Sequence, residues 1–306
     1  MLRAMDSAVA GLRAHQNKLD VIGNNIANVN TFGFKSQSYS FKEAMYQTST
    51  ASTGGSSTAG GVNAAQYGYG TMTGSIVTDM SASTPTYVGG LNATINGSGF
   101  FITSPTNSKD VAPADMVSND FAYSRVGQFK IDSQGYLTDA NGNFIYGFRP
   151  DDVGNATKFE GNLVALRVPS DVTGTSFDAD SLLLTNVSIN ELGEITGTTQ
   201  SDDDAKNGKI ISLGKIAIAT FQNPEGLTKT GQFYYSASQT DNSGKASATI
   251  AGGSTSKLMT GYLEASNVDL AKEFSDMITT QRGFQANSKI ITVSDEILQE
   301  LVNMKR

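Results

Sequence analysis

Apolar residues recur at intervals of seven at both ends of this chain. Near the C-terminus they are Leu263, Leu270, Met277, Phe284, Ile291 and Leu298. Near the N-terminus they are Met5, Leu12, Leu19 and Ile26, with Leu2 and Val9 on the adjoining seam. A sustained seven-residue period keeps an apolar stripe facing a partner helix along a left-handed supercoil. The pattern predicts a first helix from about Ala4 to Asn28, with Asp6, Arg13, Asn17, Lys18 and Asn24 on its other faces. Asn28, Asn30, Thr31, Phe32 and Gly33 then end it, since Asn and Gly tolerate the left-handed backbone needed there. A second helix is predicted over residues 257–306, its seven-residue stripe flanked by Val268, Phe274, Ile278, Ile297 and Val302. With roughly 40 of those residues helical, at 1.5 Å per residue it would run to about 60 Å. A helix of that length gains most of its stability by packing, and the N-terminal helix is the first candidate partner. Gln281, Ser288 and Asp295 lie on its second seam, where buried polar groups favour one register.

Between the helices the period switches to two and turn residues multiply, which predicts β-structure from about residue 70 to residue 253. Phe100-Phe101-Ile102-Thr103 reads as a buried strand after a Gly97-Ser98-Gly99 turn. Asp132-Ser133-Gln134-Gly135 separates two short apolar runs as a hairpin loop, and Asn141-Gly142 marks a tight hairpin before Phe144. A second β block spans about Leu163 to Ile195, and a polar loop carrying Asp202, Asp203 and Asp204 follows it. Residues 47–61 are small and polar, hence extended or flexible on their own: a linker, or a segment that orders only against neighbours. The fold class is α+β, with long coiled-coil-like N- and C-terminal helices paired with each other and central all-β domains.

The chain has 306 residues, enough for two or three modest domains. It contains no cysteine, which excludes disulfides, thiolate metal sites and cysteine nucleophiles. A net charge of −7, without clustered Lys and Arg, argues against nucleic acid. No stretch is apolar enough to span a bilayer. Arg3, Asp6, Arg13 and Lys18 interrupt the N-terminus, so any export would proceed without a cleaved secretory signal.

Chemistry is sparse. The single histidine, His15, falls on the first helix and reads as an exposed or interface residue rather than a triad member or zinc ligand. Asp139-Ala-Asn-Gly-Asn143 departs from calcium-loop spacing, and a hairpin turn explains it better. Residues 68–74 do not make a dinucleotide fingerprint, and no Ser sits in a nucleophile elbow. The Asp202–Asp204 triplet reads as a solvated loop. No catalytic, metal or cofactor site is expected. The candidate site is therefore an assembly interface: Met5, Leu12, Leu19 and Ile26 against Leu263, Leu270, Met277, Phe284, Ile291 and Leu298.

The segment Gly23-Asn-Asn-Ile-Ala-Asn-Val-Asn-Thr-Phe-Gly-Phe-Lys35 resembles the N-terminal signature of the bacterial flagellar rod and hook proteins. Its matching positions are Asn24, Asn25, Asn28, Asn30, Thr31, Gly33 and Phe34. Residues 96–102 and 123–137 resemble that family's β-domain motifs. Residues 261–270 and 281–288, with Gln281, Arg282 and Asn287, resemble its C-terminal signature. Residues 269–274 and 294–306 are more similar to hook than to distal-rod sequences. The resemblance implies a self-assembling tube whose inner wall is made of paired terminal helices. It implies a hook, a curved universal joint that conducts exported subunits, with the straight distal rod as the alternative; an extracellular adhesin fits less well. It implies other copies of this chain, rod, hook cap, hook–filament junction and the flagellar type III export apparatus as partners. It also implies a division into 1–70 (tube core), 71–147 (inner β domain), 148–212 (inserted outer β domain), 213–256 (inner β domain again) and 257–306 (core helix).

Overall fold

The computed structural model describes residues 2–55, 60–107, 110–150, 159, 161–172, 176–177, 180–201, 204, 206–252 and 256–304. They fall into two units: a helical one of Met1–Val29, Ser36–Asp79 and Val268–Arg306, and a β unit of Asn30–Lys35 and Met80–Asn267.

The helical unit is built on α1 (Leu2–Ala27) and α2 (Leu270–Met304). Asp269 starts α2: its Oδ1 accepts the N–H groups of Ala271 at 2.9 Å and Lys272 at 3.3 Å, an N-cap that satisfies two orphan donors. The predicted helix over 257–306 is therefore shorter at its start. Residues ahead of the cap form the strands Lys257–Thr260 and Tyr262–Glu264, separated by Gly261 at φ +75°. At the same end of the pair, the Asn28 side chain donates back to the Asn24 carbonyl at 2.9 Å and closes the last turn of α1.

The stretch read as linker-like, residues 47–61, is paired over residues 47–50 and at Thr53, within a larger ribbon. Gln37–Glu43 pairs antiparallel with Thr71–Thr78, Tyr46–Thr50 pairs with Ala65–Gly68, and Thr53 bridges to Val62. Residues 56–59 lie outside the described residues. Propensity missed this ribbon because Thr- and Ser-rich segments pair readily once a partner strand is aligned. Packing against α1 fixes the ribbon: Asn17 donates to Thr73 Oγ1 at 3.2 Å, and the Arg3 guanidinium lies 5.4 Å from the Tyr67 ring centre.

The β unit is organised around the strand Ile210–Phe221, which pairs antiparallel with Glu194–Gln200, Phe144–Phe148, Phe100–Ser104 and Ala246–Ile250. It is buried on both faces, so neighbouring residues serve different cores. Phe100, Ile102, Ala217 and Ala219 join one hydrophobic cluster, while Phe101, Ile216 and Ile218 join the other. The expected buried strand at Phe100–Thr103 is present. Both expected hairpins are too, with Gly135 at φ +78° and Gly142 at φ +85° in their turns. Strands Val164–Ala165, Leu183–Ile189 and Glu194–Gln200, from the stretch 148–212, hydrogen-bond into this same twelve-stranded sheet.

Candidate assembly interface

Helices α1 and α2 lie antiparallel. Asn25 donates to Glu273 Oε1 at 3.1 Å, His15 packs against Gly283, and Gly11 against Asn287. The ten residues from Asn25 back to His15 match the ten from Glu273 to Gly283, and four more match Gly11 to Asn287. Contact is close because glycine stands at two of the three sites. A Cβ at Gly11 would come within 2.8 Å of the Asn287 side chain, and one at Gly283 within 2.7 Å of the His15 ring.

This seam is small and polar. On α2, Thr280 and Ser294 are its buried residues, and they share a seven-residue phase with Glu273 and Asn287. On α1, Ala8, Gly11, Ala14 and Asn25 are buried, joined by Val21 and Ile22. The sequence-predicted stripe flanks the seam instead of filling it. Met5, Leu12, Leu19, Ile26, Met277, Phe284, Ile291 and Leu298 are half-buried, and Leu270 is exposed. Leu263 leaves the helical stripe altogether: it sits in the strand Tyr262–Glu264 of the β unit, fully buried, and shares the phase by coincidence. Phe274, Ile278, Ile290, Val293, Ile297, Leu301, Val302 and Met304 stand exposed on α2, Val302 at 66% and Met304 at 76%.

Asn25 is the hinge-pin of the signature at residues 23–35. Its amide donates to the Gln37 carbonyl at 2.8 Å and to Glu273, and its oxygen accepts the Gln37 N–H at 3.0 Å. One side chain thus joins α1, the ribbon and α2. Burial pushes the Glu273 carboxyl above its ordinary range, a shift opposed by the Asn25 hydrogen bond. Among the other signature residues, Asn24, Asn30, Gln281 and Arg282 are exposed. The Thr31 carbonyl accepts the Phe34 N–H at 3.3 Å, and the Phe34 ring lies 5.0 Å from Lys229 Nζ. Gly33 adopts φ +68°, where a Cβ would meet Val126 at 2.5 Å, so glycine is required there. Asp202 and Asp203 lie outside the described residues; Asp204 is exposed.

Sequence reasoning overlooked one buried cluster. Lys35, Arg125 and Glu264 are each at least 97% buried in the β unit, with Glu264 bridging the two cations. Each belongs to a signature segment, but periodicity cannot tell a buried charge from a solvated one.

The helical unit leaves apolar flanks uncovered, and no catalytic constellation stands among the residues described above. The family described as "Flagellar basal body rod FlgEFG protein C-terminal" matches residues 259–304, "Flagella basal body rod protein" matches 5–35, and "Flagellar hook protein FlgE/F/G D1 domain" matches 94–197. The chain is 38% identical over 307 residues to the flagellar basal-body rod protein FlgG of Bacillus subtilis (strain 168), covering all of both chains. It is 30% identical over 309 residues to the FlgG of Borreliella burgdorferi, again covering both chains in full. Against the hook protein FlgE of the same organism it is 26% identical, over 445 residues that cover both chains. The chain belongs to the flagellar rod and hook axial protein family, a structural and non-enzymatic family of the bacterial flagellum. No described helix is long and apolar enough to cross a membrane.

Proposed function

We propose that this chain is a subunit of the distal-rod type, which polymerises into a straight, stiff tube within the flagellar basal body. The observation that carries this reading is length. The FlgG proteins of Bacillus subtilis and Borreliella burgdorferi align with it over 307 and 309 residues, almost its own 306. The hook proteins FlgE of Borreliella burgdorferi and Treponema pallidum need alignments of 445 and 471 residues, so each carries at least a hundred residues with no counterpart here. Length therefore favours the rod alternative over the hook reading suggested by residues 269–274 and 294–306.

Physical features support a stiff polymer. The ribbon strands Gln37–Glu43, Tyr46–Thr50, Ala65–Gly68 and Thr71–Thr78 are paired backbone rather than loose linker, and the ribbon exposes Met45, Tyr46, Tyr67 and Met72. The exposed residues of α2 add an apolar face that neighbouring copies can bury in coiled-coil-like contacts, driving assembly through removal of apolar surface from water. In this reading the partners are copies of itself, adjoining rod and hook subunits, and the export apparatus. Residues 148–212 would form the outer part of the β layer.

The test is electron microscopy of tubes grown from purified protein, with complementation of a strain lacking its distal rod protein. Straight tubes and restored swimming are expected. Curved, supercoiled tubes, with rescue of a hook-deficient strain instead, would return the assignment to the hook.

A further inference from the structure

A single buried carboxylate gathers every segment by which the chain passes from one unit to the other. The chain changes unit after Val29, Lys35, Asp79 and Asn267. Glu264 Oε1 accepts from Lys35 Nζ at 2.8 Å and from the Ser83 N–H at 3.0 Å. Its backbone carbonyl accepts the Gly33 N–H at 2.8 Å. Around it, Lys35 Nζ donates to the Ser81 carbonyl at 2.6 Å, and Ser83 Oγ donates to the Ser266 carbonyl at 2.9 Å. Segments 30–35, 80–84 and 264–267 are thus laced to one another inside the β unit. Arg125 then anchors the lacing to the sheet. It holds both Glu264 oxygens, through Nε at 2.8 Å and Nη2 at 3.1 Å, and donates through Nη1 to the Gly97 and Gly99 carbonyls next to the strand Phe100–Ser104.

Charge balance does not explain this arrangement. The bidentate Arg125 already neutralises Glu264, and placing a second cation beside them costs desolvation energy. An apolar side chain of similar length at position 35 would fill the same space without that cost. What only a long cation supplies is simultaneous hydrogen bonds to Glu264 and to the Ser81 carbonyl, one on each of two connecting segments. Chain segments tied together share a pull, whereas untied segments peel away one at a time.

We propose that Glu264 is a load-sharing tie. Force carried by the chain between the units enters the sheet through Glu264, with Lys35 as its cross-arm and Arg125 as its anchor. The source of that force rests on the distal-rod reading above; the lacing itself does not.

Two measurements on the full chain test this. Glu264→Gln strips the charge partner from two buried cations and can unfold the β unit, so Lys35→Met, which keeps the Arg125–Glu264 pair, is the working variant. Amide hydrogen exchange should speed up at residues 31–36 and 80–84 by about tenfold more than in the strand Ile210–Phe221, which reports opening of the whole sheet. Equal acceleration everywhere, or none, would overturn the tie. In cells lacking their own distal rod protein, Lys35→Met should support swimming in thin medium and fail in viscous medium where the parent chain still swims. Parity at every viscosity would overturn the load-sharing role. If the parent chain itself restores no swimming, the distal-rod reading falls, and the exchange result alone decides whether the tie exists.

Discussion

His15 shows how a residue without chemistry can still set a condition on the fold. Its Nδ1 is buried without a hydrogen-bond partner, and its ring sits between Gly283 and the Phe41 ring, whose centre is 5.3 Å away. Burial first, and the Lys18 charge second, hold its pKa below the ordinary 6.5. A base whose folded pKa is depressed binds fewer protons folded than unfolded, so acid favours unfolding. Its contribution is complete above about pH 6.5 and is lost as pH falls from there through the lower folded value. The thermal midpoint of the helical signal should therefore drop between about pH 7.5 and about pH 5, and His15→Gln should flatten that slope. The same slope in parent and variant would show that His15 does not carry it. Tyr234, by contrast, titrates far above this window. Burial, joined by the hydrogen bond it donates to Asp139, pushes it up to about 12, so it stays a neutral clamp on the Asn141-Gly142 hairpin.

At the scale of elements, the helix pair separates into an inner seam and an outer face that answer to different substitutions. Gly283→Leu would drive a side chain into the His15 ring, an overpacking that costs about 1–3 kcal/mol. It should lower the helical melting midpoint of the isolated chain. Ile290 is exposed, so Ile290→Asp should leave that midpoint within experimental scatter while abolishing tube formation in sedimentation assays. Tubes of normal yield from Ile290→Asp would mean that this face meets no neighbour. The two helices, the buried strand at Phe100–Thr103 and both hairpins were legible because periodicity and turn chemistry are local. The inner seam was not. A stripe of Glu273, Thr280, Asn287 and Ser294 looks solvated in a sequence, and only the glycines opposite the Asn287 and His15 side chains let two backbones come close enough to bury it. Leu263 misled for the complementary reason: seven-residue phase says nothing about where a helix starts, and Asp269 decides that here. Glu264 was illegible too, since its partners Lys35 and Arg125 lie 229 and 139 positions away in sequence.

At the scale of the whole molecule, net charge and exposed apolar surface pull against each other in assembly. Each copy carries −7, from 22 Lys and Arg against 29 Asp and Glu, so stacking like copies accumulates repulsion. The exposed residues of α2 and of the ribbon supply attraction that salt does not weaken. Raising ionic strength shortens the screening length from about 30 Å at 0.01 M to about 3 Å at 1 M, which removes most of the repulsion between exposed charges. The critical concentration for tube formation should therefore fall as salt rises, and fall further in sulfate, which strengthens apolar burial by exclusion from the surface. Assembly held together by complementary charge would behave in the opposite way, because screening would dissolve it. Sedimentation across a salt series separates the two cases with the unmodified protein. A critical concentration that climbs with salt would shift the driving contacts from the apolar face of α2 to charged pairs between copies.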